Sequence, residues 1–176
     1  MTCIQPLQNI RVLDLTQVFA GPYCTYQLAL LGAQVIKVEP PGGEMTRYAG
    51  ALPELSKQGL GLSFCTQNAQ KNCVEMDLKD PVQVAKVLDL VAEADIFIQN
   101  YRPGVAQRLG LGEEALAAVN PRLVYCSISA YGEVGPIAHR PAAPLPREPL
   151  PRGGRGVDSP RAAPPRWLRG PARRLW

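Results

Sequence analysis

Hydrophobic and polar positions switch between a strand period and a helix period along most of this chain. Ile10 to Leu15 is a short apolar run ending in Asp14-Leu15-Thr16, the pattern of a strand buried in a parallel sheet. Ala20-Gly21-Pro22 breaks it, Pro22 suits the first position of a helix, and Tyr23 to Leu31 supplies apolar residues at helical spacing up to Gly32. Ala33 to Glu39 reads as a second strand, so residues 10 to 39 predict a compact βαβ unit. A glycine-rich and proline-rich loop, PPGGEMTRYAG, comes next. Lys71 to Asp77 predicts a third strand, and Asp80-Pro81 offers an N-cap and first helical residue for a helix to about Ala92, with its apolar face at positions 82, 84, 87, 88 and 91. Ala94 to Ile98 predicts a strand, followed by the polar turn Gln99 to Gly104, a short helix through Arg108, another from Glu113 to Val119, and a last strand from Leu123 to Ser129. This alternation predicts an α/β, Rossmann-like fold: an open, mostly parallel sheet with helices on both faces.

After Arg140 the period is lost. The segment from Pro141 to Trp176 holds nine of the 18 prolines and eight of the 19 Lys and Arg residues, against Glu148 and Asp158 alone. The overall charge of +4 therefore divides into −2 for residues 1–140 and +6 for the last 36. So many prolines forbid a regular helix or a central strand, so residues 141–176 are read as a disordered tail that completes no active site. Trp167 and Trp176 are then exposed residues of that tail. The abrupt turn to Pro, Arg, Ala and Gly, residues with GC-rich codons, is read as a shifted reading frame or an alternative exon after Pro141.

With the basic charge in a segment that has no period to present it, a nucleic-acid partner is not expected. Cys3, Cys24, Cys65, Cys73 and Cys126 stand singly, which argues against a disulfide framework or a zinc site and fits a reducing compartment. His139 has no partner at ligand spacing, so no metal role is expected. The amino terminus MTCIQPLQNI lacks a basic region followed by an apolar run, and no stretch is apolar enough to span a membrane. A soluble, cytoplasmic protein is expected, with mitochondrial or peroxisomal residence as the eukaryotic variant.

Open α/β sheets bind ligands beyond the carboxyl ends of their strands, here Asp14 to Gly21, Lys37 to Gly43, Asn100 to Gly104 and Ser129 to Gly132. These four loops are expected to face one crevice. Neither G-x-G-x-x-G nor a Walker A sequence is present. The loops instead offer glycine beside scattered cations, Lys37, Arg47, Lys71, Arg102 and Arg108, a chemistry suited to phosphates. Taken without further context, Asp14 is a cap of its own turn, Lys37 and Glu39 are exposed ends of a strand, and Arg102 and Arg108 are surface cations.

LDLTQVFAGPYCTYQLALLGAQVIKVEPPGG, KNCVEMDLKDP, ADIFIQNYRPGVAQRLGLG and NPRLVYCSISAYGEVGP resemble, in order and spacing, the family III coenzyme A transferases of the CaiB/BaiF type, which include formyl-CoA transferase and the α-methylacyl-CoA racemases. The matches span residues 9 to 141 and correspond to about the first third of such enzymes. The resemblance implies that residues 1–140 are a CoA-binding segment with coenzyme A as acyl carrier, no metal, acyl-CoA and a carboxylic acid as substrates, and interlocked homodimers of full-length subunits. It implies further that Phe19 and Ala20 line the CoA site, that Lys71 approaches the phosphates or adenosine, that Asn100, Tyr101 and Arg102 border the nucleotide, and that Arg108 contacts phosphate. Where several relatives carry a basic residue after the second strand's glutamate, this chain has Pro40.

The nucleophilic aspartate that the resemblance implies would lie roughly thirty residues beyond a G-P-x-x-x-R-P motif, present here as Gly135 to Pro141. The family's continuation is replaced by Ala143-Pro144-Leu145-Pro146, and Asp158, in GVDSP, does not match; no catalytic residue is assigned. The leading reading is thus a CoA-transferase segment that keeps the CoA-binding half of its site and is inactive alone. Its rivals are a non-catalytic module for CoA or another adenine nucleotide, a fragment of a racemase-type acyl-CoA enzyme, and an unstable truncated product.

Overall fold

The computed structural model of the chain describes residues 4–140. The expectations for the tail, including Asp158 and both tryptophans, lie outside the described residues.

Twelve elements follow one another: β1 (Arg11–Leu15), α1 (Ala20–Leu30), β2 (Gln34–Glu39), a 3-10 turn (Met45–Tyr48), α2 (Pro53–Lys57), α3 (Leu62–Asn68), β3 (Asn72–Glu75), α4 (Pro81–Glu93), β4 (Ile96–Gln99), α5 (Val105–Arg108), α6 (Glu113–Val119) and β5 (Val124–Ser127). The five strands form one sheet in the order β3-β2-β1-β4-β5, and every pairing is parallel. This is the α/β arrangement that the alternation of periods predicts. The strands are shorter than expected because their outer residues are taken up by turns.

The alternation of side chains assigns the two faces. Leu13, Leu15, Val38 and Phe97 point to one side and pack with Val87 and Val91 of α4 and Leu116 of α6. Val12, Val35 and Ile98 point to the other and pack with Ala29 of α1 and Ala33. Both faces are thus covered, as an all-parallel sheet requires.

Local chemistry explains most boundaries. The Asp80 carboxylate accepts from the Val82 amide at 2.9 Å, capping α4, with Pro81 as its first residue. Helix α1 starts two residues before Pro22, which a proline tolerates because the amides of a first turn have no intrahelical acceptor. The loop expected after β2 contains the 3-10 turn, and α2 and α3 follow it. These two helices, five and seven residues long without side-chain caps, are too short to show a period in the sequence. Gly61 allows this compact segment to close: a Cβ there would sit 2.2 Å from the Thr46 carbonyl oxygen.

Candidate functional site

In the order 3-2-1-4-5 the chain leaves the β2 side of β1 and returns beside β4, so the turns after β1 and β4 diverge and open a crevice between them. A cleft of about 580 Å³ lies there, lined by Gln17 to Ala20 after β1, Asn100 to Pro103 after β4, Ile128 to Ala130 after β5, and Ala138 and Arg140. Three of the four loops expected to meet at one crevice do so. The loop after β2 does not line the cleft, because it is drawn into its own contacts: Glu39 binds Arg47 through both carboxylate oxygens, each at 2.6 Å, and the Arg47 guanidinium lies 3.7 Å from the centre of the Phe64 ring. A second cavity of about 190 Å³, at the opposite edge of the sheet beside the exposed Arg11–Glu93 pair, contains none of the expected site residues.

Beneath the cleft lies a set of buried charges. Asp14 accepts from the Thr16 amide at 2.8 Å and the Thr16 hydroxyl with one oxygen, and from Thr25 at 2.6 Å and the Lys71 ammonium at 3.0 Å with the other. Asp14 is therefore the turn cap expected of a strand-end aspartate and an ion-pair partner as well. Lys71 also donates to the Pro22 carbonyl, the Thr25 hydroxyl and the Asn68 side chain at 2.9, 2.8 and 2.7 Å. Its side chain and that of Asp14 have 0% exposure.

Four internal acceptors surround the Lys71 ammonium, and the residue, expected near the phosphates, is not among those lining the cleft. Burial lowers the pKa of Lys71, against the attraction of Asp14. Lys37 and Glu39 are likewise not exposed strand ends, at 0% and 2% exposure. Lys37 donates to the Thr16 carbonyl at 2.7 Å and stands 3.1 Å from the Glu44 carboxylate. That Glu44 oxygen has no well-directed donor, so the Lys37–Glu44 contact is an ion pair by distance and charge rather than a shaped hydrogen bond.

The turn over these charges forms the cleft wall. The Asn100 side chain meets the Gln17 backbone twice, accepting from its amide and donating to its carbonyl, both at 2.8 Å. Asn100 therefore borders the cleft while its amide fastens the β4 loop to the β1 loop. Val18 follows with φ +72°, a left-handed conformation that a β-branched residue adopts at a cost of about 1–3 kcal/mol when its surroundings enforce it. The side chain of Gln67, 6% exposed, lies 3.2 and 3.0 Å from the Val18 and Phe19 carbonyl oxygens, which fixes its amide nitrogen toward them.

Phe19 is 64% exposed and stacks on Tyr23, their ring centroids 6.3 Å apart. Helix α1 begins here with no side-chain cap and no acidic residue in its first turn, leaving its positive end toward the cleft. Arg102 and Arg140 line the same space, and no carboxylate does so among the described residues. The phenol of Tyr101 is pushed up to about 12 by burial and by the Asp14 carboxylate. Of the expected site residues, Phe19, Ala20, Asn100, Tyr101 and Arg102 come together; Arg108, exposed on α5, does not line the cleft.

Two residues, one lining the cleft and one beneath its wall, had little or no signal in the sequence. Arg140 belongs to the quoted G-P-x-x-x-R-P motif yet carried no expected role, and Gln67 sits in a helix without a legible period. Among the described residues no cluster of His, Cys, Asp and Glu is placed to hold a metal ion, and no helix is long and apolar enough to cross a membrane.

An uncapped helix end and two arginines stand at the switch point of a parallel sheet, and comparison with known proteins places the chain in a family. The sequence profile of CoA-transferase family III matches residues 7–145. The chain belongs to this family. It is 46% identical over 138 residues to the acetyl-CoA:oxalate CoA-transferase of Acetobacter aceti, covering 78% of this chain and 34% of the relative. Over 138 residues it is 43% identical to the succinyl-CoA:glutarate CoA-transferase of Mus musculus, covering 78% and 31%. The crystal structure of a CaiB/BaiF family protein from Brucella suis superposes with a TM-score of 0.72 at 37% identity, covering 78% of this chain and 36% of that one. The family III chain thus spans about a third of the length of these relatives.

Proposed function

We propose that residues 4–140 form the coenzyme A-binding half of a CoA-transferase site, and that the complete site moves CoA between an acyl-CoA and a carboxylic acid. The observation that carries this reading is the cleft itself, in which Arg102, Arg140 and the uncapped start of α1 converge with no carboxylate opposing them among the described residues. Phosphates draw their binding energy from such a set: backbone N–H groups, a helix dipole and guanidinium donors. The names of the relatives, which pair acetyl-CoA with oxalate and succinyl-CoA with glutarate, support a short acyl-CoA and a dicarboxylate as the substrate class.

The same cleft supports a division of labour. Acyl transfer through a mixed anhydride needs a carboxylate free to attack the thioester carbonyl. The Asp14 carboxylate beneath the cleft wall is fully buried and holds Thr16, Thr25 and Lys71. Residues 4–140 accordingly bind CoA without turning it over.

Isothermal titration calorimetry of the 176-residue chain with CoA tests this. Binding should weaken about tenfold in Arg102→Ala, the loss of roughly 1.4 kcal/mol for one charge-assisted contact. No heat from the wild-type chain, or equal affinity in the variant, would defeat the coenzyme reading. Exchange of radiolabelled CoA between two carboxylates by this chain would defeat the division of labour.

A further inference from the structure

The turn from β1 into α1 contains the only β-branched residue of left-handed backbone among the described residues, Val18. Two of the groups that hold it belong to flanking strands or loops: Asn100 grips Gln17, while Asp14 and Lys37 grip Thr16. The third comes from below. Gln67, in the last turn of α3, presents its amide nitrogen to the Val18 and Phe19 carbonyls at 3.2 and 3.0 Å, and makes no other hydrogen bond among the described residues.

A trans peptide group points its C=O and its N–H in opposite directions. With the carbonyls of Val18 and Phe19 turned toward Gln67, the N–H groups of the next residues, Phe19 and Ala20, point away from it. Both residues line the cleft, Gln67 does not, and neither N–H has an acceptor among the described residues. A pair of adjacent, unpaired N–H groups is what an anionic oxygen needs, and their direction depends on the two peptide planes staying as they are. If those planes turned, the cleft would show carbonyl oxygens to the ligand instead.

We infer that Gln67 is a positioning residue for the anionic groups of the coenzyme, acting through the Val18–Phe19 and Phe19–Ala20 peptides. The inference rests on the coenzyme reading above. Gln67 touches no ligand in this arrangement; it selects which side of the Val18–Phe19 peptide the ligand meets, and it reinforces the Phe19–Ala20 peptide, whose carbonyl also accepts from the Tyr23 amide at 2.9 Å.

The replacement Gln67→Glu supplies a readout that a structural role alone would not move. Ionised, the new carboxylate would face two carbonyl oxygens and repel them; protonated, it could donate to one of them. Its pKa should be raised by burial and by those oxygens. CoA affinity of Gln67→Glu, taken relative to wild type at each pH, should be at least about tenfold weak near pH 8 and should recover as the pH falls toward 5. Gln67→Ala should be weakened by roughly tenfold with no such pH dependence.

Calorimetry on the full chain measures affinity, and thermal unfolding at each pH confirms that the titrated protein is folded. Wild-type affinity in both folded variants, or weakening in Gln67→Glu that does not reverse on acidification, overturns the inference. If the wild-type chain binds no CoA, the coenzyme reading itself has failed, and the Gln67 inference is decided by the amide resonances of Phe19 and Ala20. These should shift with the titration of the new carboxylate in Gln67→Glu, and static resonances would overturn it.

Discussion

Replacing Lys71 with methionine tests whether the ammonium is a structural pin or a ligand contact. Methionine keeps much of the apolar stem and removes the charge. In the native chain Nζ contacts Asp14, Thr25, Asn68 and the Pro22 carbonyl at 2.7–3.0 Å with no exposed surface. Its removal leaves Asp14 as a buried carboxylate held only by Thr16 and Thr25, and deprives three neutral acceptors of a donor. Breaking a buried pair from one side costs about 3–5 kcal/mol, so a loss near 4 kcal/mol is expected, a large share of the 5–15 kcal/mol of a typical domain. Urea unfolding should show the midpoint falling while the slope stays constant. The double variant Asp14→Asn with Lys71→Met should recover at least about 2 kcal/mol relative to the sum of the single losses, because the orphaned charge is gone. A loss below about 1 kcal/mol in Lys71→Met would mean that the ammonium is solvated, and would return Lys71 to the phosphates.

Gly21→Ala should destabilise by about 1–3 kcal/mol and weaken CoA binding together, since its Cβ would stand 2.3 Å from the Thr16 Cβ and push the β1–α1 turn into the cleft; urea unfolding and calorimetry on the same sample check it, and an unchanged midpoint would refute it. Burial raises the pKa of Glu39, but the two hydrogen bonds from Arg47 and that from the Glu44 amide outweigh it, and the folded value lies below 4.5. The stabilisation is therefore present above 4.5 and is lost as the pH falls through the folded value, so the acid decline of stability below 4.5 should flatten in Glu39→Gln. The Cys73 thiol is pushed from 9.0 to about 11 by burial and by the Glu39 carboxylate, which lowers its thiolate fraction at neutral pH about a hundredfold. Because a thiolate of higher pKa is also the stronger nucleophile, peptide mapping after iodoacetamide should show Cys73 alkylated about tenfold more slowly than a thiol of ordinary pKa, and an ordinary rate would refute its pairing with Glu39.

The sheet was legible in the sequence because all of its strands but β3, which reads NCVE, are rich in apolar residues between turn signals, and the two helices that matter most to the core carry clear marks, Pro22 with Gly32 for α1 and Asp80-Pro81 for α4. The sequence also showed where the cleft would be, since carboxyl ends of parallel strands share one edge. It did not show which polar residues turn inward. Lys37 alternates with Val38 along β2 as an exposed lysine would, and only the β1 turn and Glu44, brought together in three dimensions, give it buried partners. Lys71 was expected at the phosphates on family resemblance, and its buried contact with Asp14, fifty-seven residues away, is one that no local pattern connects to it.

The buried charges and the cleft wall are parts of one construction. Asp14 and Lys37 hold the amide and the carbonyl of Thr16, Asn100 holds both polar groups of Gln17, and Gln67 holds the carbonyls of Val18 and Phe19. Four consecutive residues are thus fixed by side chains from four parts of the chain, and the strained φ of Val18 is what those fixings sustain. A flexible turn would present its N–H groups to a phosphate only after losing conformational freedom, whereas this one has met that loss during folding. Family members with other residues at positions 37, 67 and 71 must then reach the same turn by different contacts or bind the coenzyme less tightly. Exchange of all three between this chain and such a relative should therefore move CoA affinity without altering a single residue of the cleft lining.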